Sequence, residues 1–261
     1  MSTQINVFGG TFRYEFLMQV RRRSLWITML LVGLLEIALY ARWPNTNFFT
    51  DSYLQLPITQ TMAELAALIN FLLPAAFGCM IADRLPRDRR TKVDELFTAM
   101  PGALSARLVG KYLGSISATL LPMLFFFLLG TGFILYRTGN IQSILLALPV
   151  FSIIILPGIL FISAFSLACP SIMWVPLYQF CFVGYWFWGN FLSPTNGIPT
   201  ISDTILTPEG RFMITGIFGL HNTNLHATPA QGWESLSLLV GMAILVLCVL
   251  WQVLRWQKAQ Q

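Results

Sequence analysis

Two carboxylates stand inside apolar stretches of this chain, Glu36 within residues 24–41 and Glu64 within residues 61–82. An acidic group at mid-bilayer costs roughly 2.5–3.5 kcal/mol even on the gentler scale. One that persists there pairs with a cation, reaches water, or handles a proton or substrate. Both lie toward the expected outer ends of their helices, where Arg42 or Arg137 is within range as a partner. His221 and His226, five residues apart, share a polar connection, but a metal site requires further ligands beside them. Gly110-Lys111 echoes a phosphate-binding loop, yet that motif needs Gly where this chain has Ser105 and Ser or Thr where it has Tyr112. Neither an HExxH zinc motif nor a GxSxG elbow is present. Cys79, Cys169, Cys181 and Cys248 show no paired spacing and read as small hydrophobes. No catalytic set, metal or cofactor is therefore expected in this chain, and it is not expected to be an enzyme. If ATP drives it, another polypeptide binds the ATP.

The elements that must position these residues are membrane helices. The 261 residues are 56% hydrophobic and only 10% charged, with mean hydropathy +0.67. Soluble domains carry roughly 25% charged residues, so lipid must cover part of this surface. Six apolar stretches, about 24–41, 61–82, 112–136, 141–168, 172–192 and 233–254, approach the roughly 20 residues that cross the hydrocarbon. They do not alternate as barrel strands do. The expected fold class is an all-α integral membrane protein of six transmembrane helices, one transmembrane domain over 1–261. Of its 16 Lys and Arg, thirteen fall in the N-terminal arm, the connection 83–111 and the C-terminal tail. Basic segments stay cytoplasmic, so both termini are expected inside. The net charge of +5 reads as topology and attraction to anionic lipid rather than nucleic-acid binding. The first 20 residues lack a long apolar stretch, so no cleavable signal is expected.

Several local features refine this outline. Pro74, Pro122, Pro149, Pro157 and Pro176 each remove a backbone donor and can kink a span. Gly110 and Gly114 permit another helix to approach closely. In the arm 7–23, Phe8, Phe12, Phe16, Leu17 and Val20 make one apolar face, as in a helix lying in the membrane surface. In the connection 83–111, Thr91 heads an expected short helix whose Val93, Leu96, Phe97 and Met100 form an apolar stripe between charged flanks. Pro101-Gly102 stops it, and Ser105 is placed to cap the next helix. Such a stripe suits docking into a groove. The long outer connection 193–232 carries Thr207-Pro208 and Thr228-Pro229, both helix-start signals.

The whole arrangement resembles the membrane subunits of ATP-binding cassette (ABC) exporters of the type-2 permease class. The similar parts are the amphipathic arm, the charged loop after the second span, and the long outer loop before the last. Within the charged loop, Asp94-Glu95-Leu96, then Met100-Pro101, then Gly110-Lys111, resembles the coupling segment of that family. The resemblance implies a second permease subunit, as homodimer or heterodimer, and a separate ABC ATPase holding ATP and Mg²⁺. It implies docking of the coupling helix on that ATPase, with Val93, Leu96 and Phe97 as anchors and Arg89, Arg90 and Glu95 as polar rim. It also implies a pathway between subunits near Asn70, Phe71, Phe180 and Trp186. A multi-pass place in a prokaryotic cytoplasmic membrane goes with it. The residues alone leave open a proton-coupled secondary transporter using Glu36 or Glu64, and a scaffold or sensor subunit that moves nothing.

Overall fold

The structure, a computed structural model, describes residues 2–42, 56–91, 103–192, 197, 199–220 and 225–259. Among these there is no β-strand, and helices make up most of the chain. In chain order they are α1 (Ser2–Val20), α2 (Arg23–Arg42), α3 (Ile58–Ile81), α4 (Arg84–Arg90), α5 (Leu104–Thr138), α6 (Gln142–Val150), α7 (Leu156–Ala168), α8 (Val175–Phe191), α9 (Arg211–Phe218) and α10 (Pro229–Ala259). A π-helical turn, Phe151–Ile155, joins α6 to α7, and a 3₁₀ turn, Cys169–Ser171, follows α7. Four segments are long and apolar enough to cross a membrane: Ile58–Arg90, Leu104–Thr138, Gln142–Ser171 and Pro229–Gln257. The described residues are thus all-helical with four candidate spans. At 17 residues α8 is only about 26 Å long, short of the hydrocarbon thickness.

Helix α3 is the centre of the bundle, with two thirds (67%) of its most apolar window buried. The same fraction for α10 is 17%, so α10 lies at the periphery. Met62, Ile69, Leu73 and Phe77 of α3 join Met29, Met123, Phe127, Ile154, Ile162 and Trp186 in one continuous core. Outward-facing leucines and aromatics, among them Leu31, Leu35, Leu129, Leu145 and Phe180, stay exposed. That apolar surface is what lipid or another subunit covers.

Local sequence explains several element ends. Gly139 adopts φ +64 and closes α5 with its N–H on the Leu135 carbonyl, 2.8 Å away. Asn140 Oδ1 then accepts the Gln142 N–H at 3.0 Å, starting α6 after a tight turn. Thr228 Oγ1 accepts the Gln231 N–H while Gln231 Oε1 accepts the Thr228 N–H, a reciprocal cap that opens α10 at Pro229. The other Thr-Pro pair does not start a helix. Thr207 turns its hydroxyl back onto the Ile201 and Thr204 carbonyls, and the helix begins four residues later at Arg211 after Gly210 (φ +91).

Other local expectations are corrected in the same way. Ser105 does not cap α5; the cap position is Ala103, without a side-chain bond. Pro176 stands in the first turn of α8, where its missing N–H has no helical partner to lose. Pro74, Pro122 and Pro149 do lie inside helices. Pro157 is the second residue of α7, in the first turn after the π-turn. The mixed-charge stretch after α3 folds as α4, and α5 starts at Leu104, well before the expected third span at 112. The connection between them therefore narrows to residues 91–103.

Candidate functional site

Helix α1 is held close along the first turns of α5 because Gly110 and Gly114 present no side chain to it. A Cβ at Gly110 would stand 2.9 Å from the Phe8 carbonyl oxygen, and one at Gly114 only 2.7 Å from that of Phe12. The small-residue pair is thus used by the N-terminal arm, not by another span. The arm's Phe8, Phe12 and Phe16 stack on one another at centroid spacings near 6 Å (6.2 and 6.1 Å) and remain half-buried. Its most buried side chains are polar, Glu15 at 4% exposure and Gln19 at 0%. Periodicity alone points to the phenylalanine face as the packed one, so it misses this pair.

Glu15 is buried because Lys111 comes to meet it. Lys111 Nζ lies 3.0 Å from Glu15 Oε1 and also pairs with Asp88 of α4. One lysine therefore ties α1, α4 and α5 together. Arg89 of α4 donates to the Ser171 carbonyl (3.2 Å) and to Gln257 Oε1 (2.8 Å), adding the end of Gln142–Ser171 and the end of α10. These contacts gather both ends of the chain, α4 and the start of α5 at one end of the bundle. Arg13, Arg84, Arg87, Arg90, Arg107 and Arg255 belong to the same elements, and Arg21, Arg22 and Arg23 follow directly on α1. It is the basic end.

Residues 92–102, which join α4 to α5 from this platform, contain Val93, Glu95, Leu96 and Phe97, so those four anchor and rim positions lie outside the described residues. Arg89 is committed within the chain as given above, and Arg90 is exposed. Of the residues expected near a pathway, Asn70 and Trp186 are interior, at 1% and 0% exposure. Asn70 Nδ2 donates to the Glu209 carbonyl at 3.0 Å, and Trp186 Nε1 to the Phe71 carbonyl at 2.8 Å. Phe71 packs edge-on against Phe191 and Phe187. Phe180, 80% exposed, faces outward. Glu36 is 1% exposed and accepts the Leu72 N–H at 2.8 Å, so it braces α2 on α3 and does not reach water. Glu64, in the second turn of α3, is half-buried. His226 is exposed, His221 lies outside the described residues, and among the described residues no cluster of three metal-ligating side chains occurs.

The opposite end of the bundle holds a second polar assembly that the sequence did not single out. The segment before α9 reaches far enough inward for Asn70, in the middle of α3, to bind the Glu209 carbonyl. Pro208 O would stand 2.1 Å from a Cβ at Gly158 of α7. Glu209, 7% exposed, has its Oε2 2.8 Å from Arg211 Nε, and Arg211 Nη1 is 3.7 Å from Asp203 Oδ1. The Arg211 guanidinium also lies 5.7 Å over the Phe191 ring.

Burial pushes the Glu209 carboxyl up to about 7 from an ordinary value near 4.5, against the opposing pull of Arg211. Between those values the folded chain keeps a proton that the unfolded chain has lost, so this group makes stability fall as pH rises from 4.5 through about 7. Glu209→Gln should flatten the thermal midpoint across that window. Parallel wild-type and variant profiles would contradict the assignment.

Fold and site together define an all-helical membrane protein with a basic, ion-paired platform at one end and an inward-reaching polar segment at the other. No protein-family model matches the chain, and no curated protein matches it.

Proposed function

We propose that this chain is the membrane subunit of an ATP-binding cassette exporter of the type-2 permease class. In this reading α2 and α8 join the four candidate spans to make six, with both termini at the cytoplasmic face of a prokaryotic cell membrane. Arm α1 lies in the membrane surface. A second permease subunit, identical or different, completes the pathway, and its surface meets the face that carries Phe180. A separate ABC ATPase supplies ATP and Mg²⁺.

The observation that carries the reading is the platform formed by Lys111, Glu15 and Asp88. Residues 92–102 leave α4 and enter α5 beside it. A partner pressing on Val93, Leu96 and Phe97, with Arg90 and Glu95 at the rim, would load α3 through α4 and the base of α5 at once. The Arg89 bonds would pass the same load to α10. Differential binding of nucleotide states to that segment then shifts the bundle between two arrangements.

The test is copurification. The tagged full-length chain, extracted in mild detergent, should bring down an ATPase. Leu96→Asp with Phe97→Asp should reduce recovered ATPase to background while the membrane chain keeps its yield and melting behaviour. Undiminished ATPase recovery with the double variant defeats the docking assignment. Vesicles that bind the ATPase yet move nothing with ATP favour the scaffold or sensor reading.

The buried Glu36 carboxylate favours one second reading, a proton-coupled transporter. There Glu36→Gln or Glu64→Gln abolishes uptake or efflux driven by a proton gradient without ATP.

A further inference from the structure

A cavity of about 160 Å³ lies at the basic end between α1 and α4, lined by Tyr14, Glu15, Met18, Arg84, Arg87, Asp88 and Thr91. It is far larger than the roughly 10–15 Å³ that one water needs. Arg84 is 2% exposed, and its Nε and Nη1 have no hydrogen-bond partner. The Nη1 of Arg87, at the same wall, is buried and unpartnered too. A guanidinium out of water with open donors is costly unless an anion meets it. Of the carboxylates at the walls, Glu15 Oε1 and Asp88 engage Lys111, and Glu15 Oε2, buried beside them, makes no hydrogen bond to either arginine. Orphan donors in a forked array suit the oxygens of a phosphate.

The cavity shares Tyr14, Glu15 and Asp88 with an adjoining one of about 70 Å³, whose other walls include Leu85, Leu104, Leu108 and Leu254. A phosphate held by Arg84 and Arg87 would therefore have apolar walls beside it. Free phosphate has no use for such walls, whereas the carbons next to a phospholipid headgroup do. Both cavities lie where helix ends of the bundle meet, among basic side chains.

We propose that this pair of cavities binds the phosphate headgroup of an anionic phospholipid, with Arg84 and Arg87 as the phosphate ligands. The lipid fills the wedge between α1 and α4 and satisfies donors that the chain leaves open. This site is independent of whether an ATPase docks nearby.

The full-length chain can be exchanged into phosphatidylcholine nanodiscs with and without phosphatidylglycerol, and the lipid retained on release counted by native mass spectrometry. Wild type should retain phosphatidylglycerol over phosphatidylcholine. Arg87→Gln should cut that preference about fivefold, the effect typical of one basic side chain at an anionic surface. Arg84→Gln should cut it at least as much if it folds; Arg87, half-buried at the wall, keeps the test valid if it does not. Arg13→Gln, an exposed charge on α1 outside both cavities, should cut the preference clearly less than Arg87→Gln does. Equal retention of the two lipids, an unaffected Arg87 variant, or an equal loss in the Arg13 variant would overturn the site. Displacement of the lipid by millimolar inorganic phosphate would assign the donors to a soluble anion instead and overturn the lipid assignment.

Discussion

Lys111→Met should cost about 3–5 kcal/mol of stability, the loss typical when one partner of a buried ion pair is removed. The lysine side chain is 8% exposed and that of Glu15 5%, while Asp88 keeps 22%. Without the ammonium, Glu15 is a carboxylate held against α5 with no cation at its Oε1. The geometry gives it little room to turn away, because Gly110 and Gly114 bring the α1 backbone into van der Waals contact with α5. The arm should therefore peel off as a unit and unwind, letting trypsin cut its backbone after the already exposed Arg13 and Arg21, and the melting temperature should drop with it. Adding Glu15→Gln to the lysine variant should restore a large part of the loss, since the uncompensated charge is then gone. A loss within about 0–1 kcal/mol, the range of solvent-exposed pairs, would mean that water reaches these groups and that the platform is not held by charge.

Gly158→Ala should be nearly as damaging, for a steric reason. The added methyl would stand 2.1 Å from the Pro208 carbonyl oxygen, and both groups belong to backbone that cannot swing aside. Overpacking costs typically about 1–3 kcal/mol, and the upper end applies where main chain meets main chain. Relief comes only if the segment before α9 lifts from α7, which would also strain the bond from Asn70 to the Glu209 carbonyl. Arg211 is now shielded, its side chain 24% exposed. Trypsin should cleave after it in the alanine variant and spare it in wild type. Unchanged digestion together with an unchanged melting temperature would show that the two backbones are not in contact.

The helical, apolar character of the chain was legible because it rests on composition, and the cap at Thr228 because it is a local bond between near neighbours. Thr207-Pro208 misled for the same local reason. Its hydroxyl found carbonyls at Ile201 and Thr204 within a compact turn, a competition between side chain and helix that spacing cannot settle. The pair Gly110 and Gly114 announced a close approach but not the approaching helix, since nothing in a small residue names its neighbour. The polar contacts were hidden more deeply. Glu15 and Lys111 lie 96 positions apart, and Glu15 sits on a helix whose phenylalanines suggest a different buried face. Asn70 was marked for a route between subunits because of its expected place in a span. What that place did not announce is that its amide holds a turn arriving from 139 residues away.

Helix α5 runs 35 residues, about 52 Å, from the platform to the far side. A rod of that length is an amplifier. Tilting it about its base by only about 5° carries its distal tip sideways by roughly 5 Å, comparable to the width of a small solute. Pro122, near the midpoint, removes one backbone donor from the rod, and a bend there would shorten the lever and lessen the excursion of its tip.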